Sequence, residues 1–269
     1  MSQQERFQLS GNSAELYQRF VVPYNVSHWA QELVRTANLK PGERVLDVAC
    51  GTGAVARLAA EMVRTDGHVT GLDLNAGMLA VARSLPPPSG ATITWLEADV
   101  GDMDLEDDSF DVVLSQQGFQ YFPDKLVALG EMYRVLVPGG RLVLSLWKRS
   151  NVYTTALADA MERYMSSEVA NRQRASRVTP QAEEIHDLMT QARFQEVVVR
   201  PQVLTTRMPL PEEYVPQHLT GGPAAGNFAA LDDVTRAALL RHVHQQLQAY
   251  IEGDRLVYAD EIHLATARK

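Results

Sequence analysis

Apolar and polar positions along the chain fall into two regimes. From about residue 43 to 147, short apolar runs alternate with amphipathic stretches. The runs at about 43–49, 68–73, 92–97, 111–115 and 141–147 are rich in Val, Leu and Ile. Such runs suit strands whose two faces are both covered. Helical patterns lie between them, at about 53–64, from Asn75 as N-cap to Ser84, and from Asp124 to Leu136, the last closed by Pro138-Gly139-Gly140. Regular alternation of strand and helix implies parallel strands joined by right-handed crossovers, hence an α/β sheet with helices on both faces.

Outside this block the pattern changes. Residues 13–38 predict two short helices broken at Pro23, with Leu16, Phe20, Trp29, Leu33 and Val34 on their apolar faces. Residues 151–177 form a helical stretch carrying Tyr153, Met161, Tyr164 and Met165. Thr179 and Pro180 suit a helix start, as N-cap and first-turn residue, with the helix running to about Ala192. A sixth strand is expected at about 196–206, then a Pro- and Gly-rich surface loop over 207–231. Asp232 or Asp233 caps a helix of about 20 residues. The alternation of Leu256, Tyr258, Ile262 and Leu264 in a last strand, about 256–267, suits an antiparallel strand at the end of the sheet.

Length and charge narrow the classes. A chain of 269 residues accommodates one large α/β domain, read here as a single domain over 1–269. A net charge of −8 argues against a broad phosphate-binding surface, so no nucleic-acid partner is expected. The single cysteine, Cys50, rules out an intramolecular disulfide. No apolar run reaches the roughly 18 residues of a membrane span. Met1 to Gly11 lack the apolar core of a signal peptide. A cytoplasmic protein with no membrane insertion, monomer or homodimer, is the expectation, and no metal is expected.

Candidate chemistry concentrates in Val45-Leu46-Asp47-Val48-Ala49-Cys50-Gly51-Thr52-Gly53. An apolar strand ends in Asp47 and a glycine turn, and a helix follows. Gly51 and Gly53 let that turn approach a ligand closely. A second strand ends in Asp73, 20 residues after Gly53, where an acid can take both hydroxyls of a ribose. Gly51 to Ala56 also fits the loose dinucleotide pattern G-x-G-x-x-A, so a nicotinamide-dependent oxidoreductase is a rival reading. Two features weigh against it. Asp47, aimed at the turn, repels a pyrophosphate and suits an amine or sulfonium. Asp99, after the third strand, can accept from an adenine amino group. Three acids after three successive strands suit a ligand with an amine, a ribose and an adenine but no phosphate. S-adenosyl-L-methionine has these parts.

The segments Val45 to Gly53, Gly71-Leu72-Asp73-Leu74, Ala98-Asp99, Phe110-Asp111-Val112-Val113 and Arg134 to Gly140 resemble class I S-adenosylmethionine-dependent methyltransferases, within them the ubiquinone/menaquinone branch. The resemblance covers about 40–147. It implies a Rossmann-like seven-stranded sheet with the last strand antiparallel and helical cover segments. It implies that Asp47, Ala49, Gly51 and Gly53 hold the amino-acid end of the cofactor and that Asp73 binds the ribose. Leu74, with Met78 nearby, would lie against the adenine, and Asp99 and Val100 would read its edge. Ser115 and Gln116 would lie near the transferred methyl. The variable segments 13–38, 151–178 and 207–231 would cover the pocket and select a small-molecule acceptor, an aromatic or conjugated metabolite methylated on oxygen or carbon. A non-catalytic member that only binds the cofactor is the other rival.

Methyl transfer from a sulfonium needs alignment and exclusion of water more than a base. No decisive base is visible. His28, His218, Tyr17, Tyr24 and Tyr121 are candidates, and packing or surface exposure is the alternative for each. Gln116 to Pro123 is a candidate inner wall of the pocket. Arg172, Arg174 and Arg177 are either contacts for an acidic substrate or an exposed basic helix face. Cys50 reads as a small residue filling the turn.

Overall fold

The computed structural model describes residues 12–269, so the stretch Met1 to Gly11 lies outside it. Its centre is one sheet in the order β3-β2-β1-β4-β5-β8-β6, with a two-residue strand β7 on β8. The strands are β1 Arg44–Val48, β2 His68–Asp73, β3 Thr92–Glu97, β4 Phe110–Gln116, β5 Leu136–Trp147, β6 Gln195–Pro209, β7 Ile251–Glu252 and β8 Arg255–Arg268. β1 to β5 are mutually parallel, and β8 is antiparallel to both β5 and β6. β1 lies between β2 and β4, so the strand order reverses there. Open α/β sheets bind ligands beyond the strand C-termini at that reversal.

The helices α2 Ser27–Ala37, α3 Ala54–Val63, α4 Ala76–Ser84 and α5 Lys125–Val135 accompany the first five strands. Asn75 caps α4 by accepting from the N–H groups of Gly77 and Met78, and Asp124 caps α5 from Leu126 and Val127. Each face of the sheet has its own core. Val45, Val69, Val112, Leu114 and Leu264 pack with Trp29, Leu33, Ala56 and Ala60 on one side. Leu46, Leu72, Val113 and Leu144 pack with Leu129, Met132, Ile185 and Met189 on the other.

Five expectations need correction. Pro23 does not break the N-terminal helices: α1 Ser13–Leu16 runs through a π-helix, Tyr17–Val26, into α2. The wider turn tolerates the missing N–H, and Ser27 Oγ donates to Val22 O at 3.0 Å. Pro138-Gly139-Gly140 lies inside β5 rather than simply closing α5. The pairing with β4 shifts there, with Gly139 at φ 79°, so the turn acts as a bulge. Thr179 is no N-cap, because its hydroxyl donates to Trp147 O, and α8 Ala182–Gln191 starts after Gln181. Residues 207–231 are not a loop but contain α9 Pro211–Thr220 and α10 Ala225–Ala229. Their Pro and Gly content masks an apolar face of Tyr214, Val215 and Leu219. Finally, β8 is antiparallel but not at the edge, since β6 pairs along its outer side.

A covering layer forms from α6 Val152–Tyr164, α7 Ser167–Ala175, α9, α10 and α11 Asp233–Leu247, around their own apolar cluster. It is fastened to the sheet by a buried ion pair. Arg177 donates from Nη1 and Nη2 to the Asp260 carboxylate at 2.7 and 2.9 Å, and its guanidinium lies 3.7 Å above the Trp147 ring centre. Asn151 Nδ2 donates to the same carboxylate at 2.8 Å. Arg177 is therefore not part of an exposed basic face. Arg172 and Arg174 are, paired with Glu168 and with Asp159 and Glu162. Removing one member of a buried pair strands the other charge. Arg177→Ala is expected to lower unfolding stability by about 3–5 kcal/mol in urea titration, and Arg177→Met with Asp260→Asn to recover part of that loss.

Candidate cofactor site

The site grows from the ends of β1, β2 and β4. β1 delivers Asp47, buried at 1% exposure, and the chain then turns through left-handed conformations at Ala49 (φ 57°), Gly51 (φ 56°) and Gly53 (φ 87°). Only glycine fits at 53: a Cβ there would sit 2.3 Å from the Trp95 ring. Gly71 meets the same constraint, with a Cβ 2.5 Å from Trp95. The Trp95 ring, on β3, thus floors the turn. It was not anticipated from the sequence, although β2–β3 register sets the large Trp95 opposite the small Gly71.

Two carboxylates order the turn. Asp47 Oδ2 accepts from the Ala56 N–H at 2.9 Å, joining the end of β1 to the first turn of α3. Its Oδ1 is buried without a partner. Asp73 accepts from the Gly51 N–H at 2.7 Å and from the Asn75 N–H at 2.8 Å. Burial pushes the Asp47 pKa up to about 8, against the Ala56 hydrogen bond and with help from the nearby Asp73 charge. Burial also raises Asp73, while hydrogen bonds from Asn75, Gly51 and Leu74 oppose it. The turn therefore holds a buried carboxyl group with one oxygen free of hydrogen bonds to the described residues.

A cleft lined by Asp47, Ala49, Cys50, Gly51, Thr52 and Gln116 is roofed by Tyr17 and Val26 of the π-helix. Its volume is about 50 Å³. Ligand sites run to roughly 300 Å³ or more, so the cleft as it stands is smaller than a ligand site. Gln116 Nε2 donates to Val26 O at 3.0 Å and latches the roof to β4. Ser115 is buried beside it, its hydroxyl without a partner. Thr52, also buried with an unpartnered hydroxyl, was missed in the sequence because threonine in a glycine turn reads as filler.

The other expected residues are placed less uniformly. Leu74 stands at the rim, 36% exposed. Met78 is buried against Ala14, Tyr17 and Val81 rather than lining the cleft. Asp99 Oδ1 accepts from the Gly101 N–H at 2.9 Å and shapes its own turn, while Val100 packs into the core. Arg134 ties that acidic loop down, donating to Met103 O, Leu105 O and Asp107. Within the stretch Gln116 to Pro123, Phe119 and Phe122 belong to the core, buried edge-to-face at 5.8 Å, while Gln116 lines the cleft. Gln117 Oε1 accepts from Ser145 Oγ at 3.1 Å. Cys50 is buried, and burial with Asp47 and Asp73 nearby raises its thiol, so it fills space. His28 is half-buried against Trp29 and held down by burial. Tyr121 lies in the short turn after β4, its phenol raised by burial. Among the described residues no cluster of His, Cys, Asp and Glu could hold a metal.

A parallel sheet with a carboxylate-lined glycine turn at its strand reversal defines a Rossmann-like nucleoside-binding fold. Residues 46–144 match the family described as "Methyltransferase domain". The chain is 37% identical over 131 residues to the chloroplastic 2-phytyl-1,4-beta-naphthoquinone methyltransferase of Arabidopsis thaliana, covering 47% of this chain and 50% of that protein. It is 43% identical over 115 residues to a ubiquinone/menaquinone biosynthesis C-methyltransferase of Xanthomonas campestris, covering 42% and 46%. The chain thus spans about half the length of the curated relatives it matches. In fold it is similar to a Haemonchus contortus phosphoethanolamine N-methyltransferase in complex with S-adenosylhomocysteine, at a TM-score of 0.59 and 20% identity, covering 95% of this chain and 56% of that one. Residues 46–144 thus match a methyltransferase domain, and the chain is similar in sequence to quinone methyltransferases over less than half of its length.

A raised native pKa means stability present below the unfolded value and lost as pH rises through the native one. For Asp47 the window runs from 3.8 to about 8. Wild-type stability is expected to fall against Asp47→Asn by up to about 1.4 kcal/mol per pH unit in that window. Thermal melts between pH 5 and 8.5 without cofactor check it; a constant difference contradicts the assignment.

Proposed function

We propose that this chain transfers a methyl group from S-adenosyl-L-methionine to a ring carbon of a quinone-type small molecule. The observation that carries the reading is the buried, unpartnered oxygen of Asp47 behind the glycine turn. A pyrophosphate would meet two carboxylates there, whereas an ammonium supplies the missing donor and the missing charge. That weighs against a nicotinamide dinucleotide. The names of the relatives support methyl transfer and a quinone-type acceptor.

When bound, the cofactor supplies a methyl group on a sulfonium with a good leaving group. The rest is work for this chain's residues. Asp47 would hold the ammonium with its Oδ1. The backbone at Ala49, Gly51 and Gly53 would admit the amino-acid end without side-chain clash. Asp73, whose oxygens each keep a lone pair after accepting from Gly51 and Asn75, would take the ribose hydroxyls. Leu74 would cover the adenine from the rim, with Met78 behind it, and Asp99 and Val100 would read its edge. Ser115 and Gln116 would border the methyl. The roof, 13–38, together with 151–178 and 207–231, would close over the acceptor, exclude water and select it. These segments lie outside the family match, 46–144, so the acceptor's identity resides in them.

Asp73→Ala is expected to weaken S-adenosyl-L-methionine binding at least about 100-fold in calorimetry while leaving the far-ultraviolet circular dichroism unchanged, as loss of hydrogen bonds to an otherwise buried polar ligand predicts. Equal binding by the variant contradicts the assignment. Transfer of labelled methyl to a reduced naphthoquinone by the wild type tests the activity, and binding of the cofactor with no transfer to any acceptor in a quinol panel contradicts it.

A further inference from the structure

The covering layer holds a hydrogen-bonded pair that the cofactor cleft does not use. His218, near the end of α9, has its Nδ1 2.6 Å from the Tyr153 hydroxyl of α6, and the two rings stack at 5.5 Å and 26°. Tyr214, one turn earlier on α9, lies 5.6 Å from His218 and 5.5 Å from Tyr153. Tyr24 of the π-helix stands edge-on to Tyr214 at 5.7 Å. Tyr153 and Tyr214 are buried, while His218 keeps part of its surface accessible.

The protonation of this pair follows from its surroundings. Tyr153, Tyr214 and Arg177 act on His218, with Tyr24 and Tyr17 beyond Tyr214, and the neighbouring carboxylate, Asp260, is taken up by its ion pair with Arg177. Burial, reinforced by the Arg177 charge, lowers His218 to about 4, so the ring is neutral at ordinary pH. Burial raises the Tyr153 phenol well above its usual range, so it stays protonated. A protonated phenol facing a neutral imidazole nitrogen donates to it. Tyr153 therefore donates to Nδ1 and fixes the ring proton on Nε2. Nε2–H has no partner among the described residues.

The same face of α9 rests on the cofactor roof. Tyr214, His218 and Gly221 follow helical spacing, and a Cβ at Gly221 would lie 3.1 Å from the Leu16 carbonyl carbon and 3.2 Å from the Tyr17 nitrogen. Tyr17 in turn lines the cofactor cleft. The neutral donor thus sits on the helix that packs on the cleft-lining segment.

We propose that His218 binds the methyl acceptor, donating from Nε2–H to a ring oxygen conjugated to the carbon that is methylated, with Tyr153 as its positioning residue. The inference rests on the methyl-transfer reading above. In the step it serves, a hydroquinone enters as its mono-anion and the oxygen's electron pair is pushed into the ring. The ring carbon forms a bond to the methyl, and the methyl–sulfur bond breaks with its pair left on sulfur. The C–H proton of that ring carbon then passes to water, and its electron pair restores the ring. An imidazolium at the oxygen would protonate the anion and quench the nucleophile. A neutral N–H stabilises the charge without giving up its proton, the role a neutral histidine plays as an electrophilic donor elsewhere.

The test uses the full chain loaded with S-adenosylhomocysteine, ¹⁵N-labelled at histidine, with 1,4-dihydroxynaphthalene kept reduced as the acceptor probe. His218 is expected to show the Nε2–H tautomer at pH 7 and to shift on adding the probe. A protonated ring, an Nδ1–H tautomer or no shift with the probe overturns the proposal. In turnover, His218→Asn is expected to lower kcat about 100-fold with unchanged cofactor affinity, the scale of losing one donor to a developing oxyanion. Tyr153→Phe is expected to mix the His218 tautomers and lower kcat less, a signature that loss of packing alone does not give. Wild-type kcat in His218→Asn overturns the proposal. A probe-induced shift at His218 without turnover by the wild type leaves the donor standing and counts against the methyl-transfer reading instead.

Discussion

The hydrogen bond from the Ala56 N–H to the Asp47 carboxylate is the joint on which the site is built. It ties the end of the central strand β1 to the first turn of α3 across the glycine turn between them. Asp73 closes the second side of that turn through the Gly51 N–H. Trp95 closes its floor, filling the space that side chains at 53 and 71 would need. The joint has a cost. Asp47 is buried with one oxygen unpartnered, so the chain holds a carboxylate whose ionisation opposes folding. An ammonium held at that oxygen would repair the defect.

The cofactor half was legible because its signals are local. Runs of Val and Leu and the Asn75 and Asp124 caps act over a few residues, and Gly53 and Asp73 lie 20 residues apart within one strand–helix–strand unit. Nothing in them depends on a distant partner. The covering half was less legible because its stability comes from such partners. Tyr214, Val215 and Leu219 make α9 a helix by packing against α6 and α11, although Pro211 and Pro216 in the sequence suggest a loop. Arg177 reads as one more surface cation until β8 brings Asp260 beneath it, 83 residues later in the chain. Thr179 has the sequence of a helix cap, yet its hydroxyl is claimed by Trp147 of the sheet. Pro23 has the sequence of a break and sits inside a π-helix.

The site shows the same division. Asp47, Gly51, Gly53 and Asp73 converge as their spacing implies, since consecutive parallel strands carry them to one edge of the sheet. Trp95, Thr52, Tyr17 and Val26 complete the cleft, and only the fold reveals them. Gln116 is double-natured: it ends β4 beside the cleft and also holds the roof through Val26. The roof is built from a π-helix, a form frequent at functional sites, and the cleft beneath it is narrow, about 50 Å³.

The central claim is that Asp47 is protonated in the free protein and ionises to hold the cofactor's ammonium. Calorimetric titration with S-adenosyl-L-methionine at pH 6.5, in two buffers of different ionisation enthalpy, measures this directly. Release of close to one proton per cofactor bound, lost in Asp47→Asn, is the predicted result. A binding enthalpy independent of the buffer would contradict it.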